Sequence, residues 1–571
     1  MVNRLAGLLL VFVTGCAGAD DSATPLGDPV LEAPTLHSLG AYWIISGDDD
    51  GNAKVSVEYR ETGEAQWRAG ADLFRVEKGA NEGGEHGSQL DVPEDASLFA
   101  GSIVMLEPDT EYELRLTLAD PGGGEGQKTL TARTRAEPVI PEGMRMRFVT
   151  PGNGGGTGTK DDPFRGLEAA DAAAQPGDWL VVREGIYEGT FIATQSGTPE
   201  APIVWMAEGK PVIDGQGEGR GISAGDIHDV WFEGLRIRNA DYGIVAHRSS
   251  RIVIRRCRIS DVEYGITCTN NSNDAVRGFF ISDNTIEGPS TWPRTQGIEN
   301  ARGIQVTGTG HDICYNRIRG FADAVDTFGS QRCEAIDIHH NEISEMTDDG
   351  IEMDYSERNT RCFLNRLTNV FQGISVQPIF GGPVYIFRNA MHNVVGEPFK
   401  MHNSPSGALM LHNTSVKAGM PLVLWTNEPV RNCVFRNNLF IGTTGNYAYE
   451  STAPMVDCDF DYDGFGGGPW ELFLKWNGER YGTIDDARDS APVYGHAVEV
   501  GIDSVFASGV EAPADAELRY ELGDNDLRLA EGTAAIDAGI ALPGFNDGFG
   551  GEAPDLGAFE LGDELPHYGP R

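Results

Sequence analysis

The chain has 571 residues, of which 23% are charged and 40% are hydrophobic, and it contains 74 glycines. This length allows two or three domains, and the glycine content suits a turn-rich, all-β protein. The formal net charge of −42 argues against nucleic acid and against an anionic membrane surface as partners. A polyanionic substrate would also be repelled unless cations or local Arg and Lys side chains intervene.

The first 16 residues have the pattern of a signal peptide. Arg4 precedes an apolar run over residues 5–13, which is too short to span a bilayer, and Cys16 follows. This segment resembles a bacterial lipoprotein signal, and the resemblance implies cleavage before Cys16 and lipidation of its thiol. No other stretch of the sequence predicts a transmembrane segment, so we expect this lipid anchor to be the only contact with the membrane.

The residues after the cysteine predict the destination of the protein. Ala17 rather than Asp follows Cys16, which by analogy with Gram-negative sorting implies the outer membrane. Residues 17–32 are small, polar and turn-forming, and they are predicted to be a tether. We therefore expect a secreted, lipid-anchored monomer of the bacterial cell envelope.

Residues 33–136 predict a β-sandwich, because strand-like alternations such as that over residues 54–59 are separated by Gly and Asp turns. The segment 106–116 resembles the corner before strand F of fibronectin type III domains. The resemblance implies that Tyr112 is the corner tyrosine, whose hydroxyl bonds back to the chain, and that Trp43 is the strand-B core residue. Such a module is a spacer or a binding unit, and no chemistry is assigned to it.

After a linker rich in Pro and Gly, residues 144–445 predict a solenoid that begins with a cap. A short helix is expected over residues 167–174, followed by the first strands. This order resembles the N-terminal cap of bacterial right-handed β-helix carbohydrate enzymes. A plug of this kind is physically necessary, because the end of a solenoid exposes core residues and unpaired strand edges.

Asparagine returns at a nearly constant interval through the middle of the chain. Spacings of 25, 24, 24, 24 and 24 residues separate Asn316, Asn341, Asn365, Asn389, Asn413 and Asn437. Each follows a short alternation of apolar residues, and no unit holds an amphipathic helix. This pattern predicts a parallel β-helix with one coil per unit, in which an amide ladder ties each corner to the next.

The ladder position is predicted to extend backwards through Asn284, Cys257 and Leu235, with a loop inserted between Asn284 and Asn316. Past Gly442 the period fails, so residues 446–571 are predicted to be a C-terminal extension and cap. The fold class predicted from the sequence is therefore all-β: a right-handed parallel β-helix solenoid preceded by a fibronectin type III-like β-sandwich.

Seven cysteines remain beyond Cys16, and an odd number forbids complete pairing. No CxxC spacing occurs, so a thiolate metal site is not expected. Cys257, Cys314, Cys362 and Cys433 lie in or beside strand alternations, so buried core thiols are the default interpretation for them, and one disulfide stays open as an alternative.

A column of charged residues is predicted where chemistry could occur. In successive coils the residues that follow the apolar landmark after each turn are Asp326, Glu352, Ser375 and Lys400. If the register holds, these side chains project outward about 4.8 Å apart per coil. Beside them lie Asp323, Asp348, Asp349 and Asp354. Carboxylates this dense repel one another unless a cation is bound, and hard oxygen ligands suit Ca²⁺.

The segment 348–352, an aspartate one coil earlier (Asp323 or Asp326) and Lys400 after Phe399 resemble the site of family nine polysaccharide lyases. These are β-helix pectate lyases in which aspartates hold Ca²⁺ and a lysine is the Brønsted base. The resemblance implies that the Ca²⁺ ligands are Asp326, Asp348, Asp349 and Glu352, and that Lys400 is the base. This sequence departs from the family pattern at Glu352, where the family has Asp.

The reaction implied by the resemblance is β-elimination on an acidic polysaccharide that contains uronate residues. The cation would acidify the C5 proton, and Lys400, with its pKa lowered by its surroundings, would remove that proton. An arginine could stabilise the charge that develops. The candidates are Arg358, Arg361 and Arg388.

A second candidate cation site lies over residues 457–464, where Asp459, Asp461, Asp463 and Gly464 match the start of an EF-hand-type loop. The match is incomplete, because Trp470 stands at the twelfth position. Three alternatives to a lyase remain open on this fold: a glycoside hydrolase with two carboxylates, a C5-epimerase with similar proton chemistry, and a non-catalytic glycan-binding or adhesive lipoprotein.

Overall fold

The computed structural model describes residues 22–78, 80, 90–269, 276–294, 300–327, 333–443 and 445–571. The predicted signal peptide and Cys16 lie outside these residues. Within them, no helix has the length and apolar character needed to cross a membrane. In the described part of the chain, the regular secondary structure is β-strand apart from Leu167–Asp171, Ile484–Ser490 and Leu522–Asp524.

Two antiparallel sheets at the N-terminal end form the predicted β-sandwich. One sheet contains Thr24–Pro25, Val30–Leu31, Leu39–Ser46, Phe74–Arg75 and Ala96–Ile103. The other contains Lys54–Glu61, Arg68–Ala69, Glu111–Ala119 and Glu125–Arg133. Every second residue of Glu111–Ala119 is buried, as a strand with one face on a core requires.

The sandwich begins before residue 33, so the prediction that residues 17–32 are only a tether is wrong. Thr24–Pro25 and Val30–Leu31 both pair with Leu39–Ser46. Strands pair at the edge of a sheet through main-chain groups. The polar, turn-forming side chains of this segment therefore gave no sign of the pairing. The contact expected for Tyr112 is present, with its hydroxyl oxygen accepting a hydrogen bond from the Glu107 amide at 3.1 Å.

Residues 145–499 form the predicted parallel β-helix, whose two main walls are one sheet of 16 strands and one of 18 strands in the described part of the chain. The 16-stranded sheet contains Arg145–Thr150, Phe164–Arg165, Asp178–Arg183, Ile203–Glu208, Val230–Glu233, Val253–Arg255, Phe280–Ser282, Asp312–Cys314, Asp337–His339, Thr360–Phe363, Phe380–Phe387, Ser406–Leu411, Val430–Arg431, Val434–Arg436, Met455–Val456 and Asp459–Asp461.

The 18-stranded sheet follows the corner of each coil. Its strands are Ile186–Glu188, Phe191–Ile192, Val212–Asp214, Arg220–Ser223, Arg236–Val245, Arg258–Cys268, Thr285–Glu287, Arg302–Val306, Arg317–Arg319, Asp323–Thr327, Glu342–Glu352, Arg366–Ser375, Ala390–Val394, Phe399–Lys400, Thr414–Val416, Leu439–Ile441, Gly464–Gly466 and Val498–Glu499. Two small sheets complete the walls, and they contain Gly308–Thr309 with Cys333–Glu334, and Leu422–Leu424, Tyr447–Ser451, Leu472–Trp476 and Glu479–Tyr481.

A ladder of side-chain amides runs along the corner between the two walls. Its members are Asn284, Asn316, Asn341, Asn365, Asn389, Asn413, Asn438 and Asp463. At a typical rung, Asn365 Nδ2 donates to Asn389 Oδ1 at 3.0 Å and to the carbonyl of Ile338 at 2.9 Å. Each asparagine rung is therefore both donor and acceptor, Asp463 accepts at the end of the ladder, and the ladder fixes the register of the coils.

The ladder corrects two sequence predictions. Its member after Asn413 is Asn438 rather than Asn437, whose amide donates instead to the carbonyl of Ile540 at 2.8 Å. The next rung is Asp463, so the period does not fail after Gly442 and the β-helix extends beyond residue 445. The sequence pattern that predicts the ladder is a repeated asparagine. The coil whose rung is Asp463 does not show that pattern.

Both ends of the solenoid are closed. Leu167–Asp171 is a short α-helix, and Leu167 packs into the solenoid core at the N-terminal end as predicted. The helix Ile484–Ser490 does the same at the other end. Only part of the C-terminal extension is a cap, because residues 505–559 pack along the outside of the 18-stranded sheet and include a 3₁₀-helix at Leu522–Asp524.

The sandwich is docked on the outside of the 16-stranded sheet. Arg361 and Asp337 form an ion pair in this interface and both are fully buried. Asp312, one coil earlier, accepts a hydrogen bond from the Leu36 amide at 2.8 Å and pairs with Arg135 at 3.0 Å. The 18-stranded sheet therefore faces away from the sandwich.

All seven described cysteines are free thiols. Six of them are buried, and these include the four that were predicted to be buried from their strand positions. The disulfide that the sequence left open is absent from the described residues.

Candidate functional site

The 18-stranded sheet carries the column of side chains that the sequence predicted. Asp326 pairs in register with Glu352, Glu352 with Ser375, and Ser375 with Lys400. These four residues follow the buried apolar column of Val325, Ile351, Ile374 and Phe399. Alternation along each strand therefore directs the four side chains away from the core.

A second column lies three residues earlier in each coil. The amide of Asp349 donates to Asp323 Oδ1 at 2.8 Å, and Asp349 pairs in register with Gln372. The amide of Glu397 donates to Gln372 Oε1 at 2.5 Å. The two columns together place acidic side chains from neighbouring coils side by side.

Small residues between the two columns allow this arrangement. A Cβ atom at Gly350 would lie 2.6 Å from the carbonyl oxygen of Gly373, and one at Gly303 would lie 2.5 Å from that of Ala324. Both distances are shorter than any relaxed contact, so larger residues would force the coils apart. Gly350 therefore lets the strand lie close to the next coil while Asp349 and Glu352, on either side of it, are directed outward.

Three carboxylates are positioned to hold one cation. Oxygen atoms of Asp323, Asp349 and Glu352 lie within 4.8 Å of one another. Asp349 Oδ1 is buried and has no hydrogen-bond partner among the described residues. Oxygen ligands at 2.3–2.6 Å from a central ion fit such a separation, so the donor set suits Ca²⁺.

The structure thus brings Asp323 into the cluster where the sequence reasoning chose Asp326. The carboxylate of Asp326 lies 3.2 Å from Arg302 Nε and 2.8 Å from Gln305 Nε2. Asp348 is also outside the group of three, and its carboxylate lies 3.9 Å from Arg294. A register shift between Met346 and Asp349 marks a bulge at this point, and a bulge redirects the side chains that follow it.

Burial and mutual repulsion raise the pKa values of the clustered carboxyls. The pKa of Asp349 is raised to about 7, chiefly by burial, with a further contribution from Asp348. Burial and the carboxylate of Asp326 raise the pKa of Glu352 well above its ordinary value. Burial and Asp349 do the same for the pKa of Asp323. A divalent cation would relieve this repulsion, because it favours the ionised carboxylates.

Lys400 Nζ lies 2.7 Å from Asp349 Oδ2. Burial alone would lower the pKa of Lys400, but the carboxylates of Asp349 and Asp348 outweigh it, and the pKa is raised above the ordinary value. This direction is opposite to the lowered pKa expected from the sequence. The difference arises because the sequence could not show that the amine contacts a carboxylate directly.

None of the three arginines proposed from the sequence lies at this cluster. Arg358 pairs with Glu32 and Glu334 under the sandwich, Arg361 pairs with Asp337, and Arg388 lies 3.8 Å from Glu560. Arg358 and Arg361 lie on the side of the sandwich, and Arg388 contacts the C-terminal extension.

The arginine at the cluster is Arg302, whose guanidinium lies 2.6 Å from Asp323 and 3.2 Å from Asp326. It precedes Asp323 by one coil in register. The inserted loop after Asn284 disturbed the spacing that would have revealed this alignment.

The sequence also did not single out the group beyond Lys400. The buried Glu397 carboxylate contacts His402 Nε2 at 2.8 Å and accepts a hydrogen bond from the Trp425 amide at 2.5 Å. Glu397 thereby connects the coil of Lys400 to the next coil.

The second candidate cation site is not assembled. Asp459 pairs with Arg436, Asp461 contacts His496, and Asp463 is the last rung of the amide ladder. The only other described group of three acids close enough for one ion is Asp48, Asp50 and Asp120 in the sandwich. This second group is partly exposed, and Asp48 is also paired with Arg75.

Comparisons with known proteins agree with the fold. A family model described as "Right handed beta helix region" matches residues 212–313. The protein YwoF of Bacillus subtilis (strain 168) is 33% identical over 101 residues, a match that covers 16% of this chain and 22% of that protein. This chain therefore matches less than a quarter of the length of that relative.

Solved structures resemble the chain over a larger part of its length. The pectate lyase Pel9A is 19% identical, with a TM-score of 0.45, over 73% of this chain and 96% of that one. XylC, solved in complex with xylose, is 13% identical, with a TM-score of 0.46, over 73% of this chain and 98% of that one. The chain is an all-β protein whose main domain is a right-handed parallel β-helix.

Proposed function

We propose that this protein is a polysaccharide lyase that cleaves an acidic, uronate-containing glycan by Ca²⁺-assisted β-elimination. The observation that carries the proposal is the cluster of Asp323, Asp349 and Glu352 with the amine of Lys400 2.7 Å from Asp349. This reaction needs oxygen ligands for a hard cation and a side chain that can accept a proton, and both are adjacent here.

The carboxylates of Asp323, Asp349 and Glu352 would hold the cation. Arg302 orients Asp323 from one side, and Lys400 orients Asp349 from the other. When bound, Ca²⁺ neutralises the substrate carboxylate, acidifies the C5 proton and offsets the negative charge around Lys400. Asp326 is proposed to support Arg302 rather than to bind the ion directly.

Lys400 is the proposed base. In its neutral form, Nζ accepts the C5 proton and becomes an ammonium group. The electrons of the C5–H bond form a double bond between C4 and C5, and the bond from C4 to the glycosidic oxygen breaks. The departing oxygen keeps the electron pair of that bond and takes a proton from water. Because its pKa is raised by carboxylates, the amine becomes a base only after their charge has been offset.

The proposal is tested by incubating the purified protein with pectate, alginate and glycosaminoglycans, with Ca²⁺ or with a chelator. New unsaturated ends are followed by their ultraviolet absorbance. We expect activity on one polymer, its loss in chelator, and a fall of roughly 10²–10⁴-fold in Lys400→Ala.

Lys475→Ala is the matched control, since Lys475 is also a strand lysine paired with a carboxylate, that of Glu450 at 3.2 Å. It should retain the wild-type rate. Activity that survives both chelation and Lys400→Ala would overturn the mechanism. New reducing ends without ultraviolet absorbance would indicate a glycoside hydrolase instead.

A non-catalytic glycan-binding or adhesive protein is the second candidate function, and one observation favours it. The Lys400–Asp349 ion pair holds the amine in its protonated form. Tight binding of a polymer without any new chain ends, in Ca²⁺ and across the neutral pH range, would establish this alternative.

We also propose that lipidated Cys16 anchors the protein to the bacterial outer membrane. Labelling of the wild type but not of Cys16→Ser with a fatty-acid analogue, together with outer-membrane fractionation, would support this location. A soluble, unlabelled wild type would contradict it.

A further inference from the structure

Two tyrosines lie in the same column as the acidic cluster, on its N-terminal side. Tyr242 pairs in register with Tyr264, Tyr264 with Arg302, and Arg302 with Asp323. The two tyrosine rings are stacked, with centroids 4.6 Å apart and planes inclined by 14°. Both side chains are partly exposed, so their ring edges and hydroxyls are accessible to solvent.

A tryptophan lies on the opposite side of the cluster. Trp425 is 52% exposed, which makes it the only aromatic among the exposed large hydrophobic residues of the described chain. Its amide is bound by the buried Glu397 carboxylate at 2.5 Å, and Glu397 lies three residues before Lys400 in the same coil. A large exposed ring on a backbone fixed in this way can receive a ligand without first becoming ordered.

The tyrosines and the cluster lie along one line parallel to the solenoid axis, and Trp425 lies one coil beyond the end of that line. The column runs from Tyr242 through Tyr264, Arg302, Asp323, Asp349 and Gln372 to Glu397, whose carboxylate accepts a hydrogen bond from the Trp425 amide. At about 4.8 Å per coil, the seven steps from Tyr242 to Trp425 span roughly 34 Å. That length exceeds the size of one or two sugar rings, so the line fits an extended chain.

We propose that a glycan chain binds along this line, with Tyr242 and Tyr264 on one side of the acidic cluster and Trp425 on the other. The inference rests on the proposed function, because the cluster is taken as the place of bond cleavage. Since binding groups lie on both sides of the cluster, cleavage occurs inside the chain rather than at its end. The protein is therefore an endo-acting enzyme.

The chemistry of the two ends differs from that of the centre. Pyranose rings present C–H-rich faces that pack against an exposed aromatic ring such as Trp425, and the tyrosine hydroxyls can exchange hydrogen bonds with sugar hydroxyls. Asp241 and Glu263, which directly precede the tyrosines, are exposed. They disfavour an uncompensated uronate carboxylate at this end. The tyrosine end therefore binds sugar hydroxyls, while the central cation binds the carboxylate that reacts.

The test uses Tyr264→Ala and Trp425→Ala in the full chain, with Trp67→Ala as control. Trp67 is a half-buried tryptophan of the sandwich that stacks on Arg60 and Arg115. We expect each site variant to raise KM for the polymer about tenfold with little change in kcat, and the control to leave both unchanged. The wild type should lower the viscosity of the polymer well before many ends accumulate.

Two results would overturn the inference: unchanged KM in both site variants, or release of only monomers and dimers from the first turnovers. Calorimetric titration of Lys400→Ala with polymer, with and without the two aromatic substitutions, gives a readout that does not need catalysis. If the wild type shows no lyase activity but the aromatic variants still weaken binding about tenfold, the proposed reaction fails and the binding line stands. Equal binding by all variants refutes the line.

Discussion

Two columns of repeated side chains run through the same coils of the β-helix, and they behave in opposite ways. In the coil that contains Asn341, the amide ladder lies at the corner, and Asp349 and Glu352 lie further along the strand. The ladder repeats asparagine through seven coils, and each asparagine from Asn284 to Asn413 donates to the next one. In the acidic columns, carboxylates repeat through only two coils before Ser375 replaces them in one column and Gln372 in the other.

The difference follows from hydrogen-bonding capacity. An amide donates and accepts, so each rung satisfies the next, whereas an ionised carboxylate can only accept. A stack of amides is therefore complete in itself. A stack of carboxylates remains short of positive charge, which here comes from Arg302 and Lys400 and, in our proposal, from a cation. The repeated amides stabilise the fold, and the repeated carboxylates form the proposed cation site.

The first expected effect concerns the ladder itself. Asn365→Ala should lower the free energy of unfolding by about 3–5 kcal/mol, because it leaves the Asn341 amide groups, the Ile338 carbonyl and Asn389 Oδ1 short of a partner. Chemical denaturation followed by circular dichroism measures the change. Asn153→Ala, at an exposed position, is the control and should stay within about 0.5 kcal/mol of the wild type. A loss below about 1 kcal/mol would show that the ladder contributes little.

The second effect concerns the cation. Ca²⁺ at about 100 times its Kd should stabilise the wild type by roughly 2.7 kcal/mol, which thermal unfolding at several Ca²⁺ concentrations would detect. Glu352→Gln should weaken this response, because it removes one of the three clustered carboxylates. Asp50→Asn, in the other acidic group, is the matched control and should respond like the wild type. A response lost in Asp50→Asn and kept in Glu352→Gln would place the ion in the sandwich.

The third effect concerns Asp463, the last rung of the ladder, where a carboxyl group takes the place of an amide. Burial raises the pKa of Asp463 to about 8. A carboxyl whose pKa is raised in the folded state contributes stability that is full below its ordinary pKa of 3.8 and is lost as the pH rises through about 8.

Asp463→Asn should therefore match the wild type near pH 4 and become more stable with increasing pH, by at most about 1.4 kcal/mol per pH unit, until the difference levels off above pH 8. Denaturation at several pH values in the presence of chelator measures the difference. A constant difference between the two proteins over this range would contradict a protonated aspartate in the ladder.

The fold was predictable because each coil repeats an asparagine that makes the same contacts with the neighbouring coils. Each Asn-containing corner needs the same amide at the same place, so the period survives in the sequence. The misplacement of the ladder at Asn437 has the same origin, since two adjacent asparagines fit the period and only the backbone distinguishes them. Asp463 was missed because the carboxyl, protonated in the buried site, replaces an amide there.

The site was predictable only in part. The column of Asp326, Glu352, Ser375 and Lys400 follows from strand register alone. Asp323 could not be preferred to Asp326, because the choice depends on how Arg302 and the bulge before Asp349 orient the carboxylates. The raised pKa of Lys400 depends on a contact between coils that are 51 residues apart in sequence, between Asp349 and Lys400.

The small residues at Gly303 and Gly350 have a consequence for protein engineering. Because Gly303 and Gly350 leave no room for a Cβ atom, neighbouring coils stack closely at this point, and what distinguishes them is the set of groups they display. A whole coil, cut from one asparagine to the next, is thus a natural unit of exchange. Chimeras assembled in such units would alter the sequence of contacts offered to a bound polymer while leaving the scaffold that offers them intact.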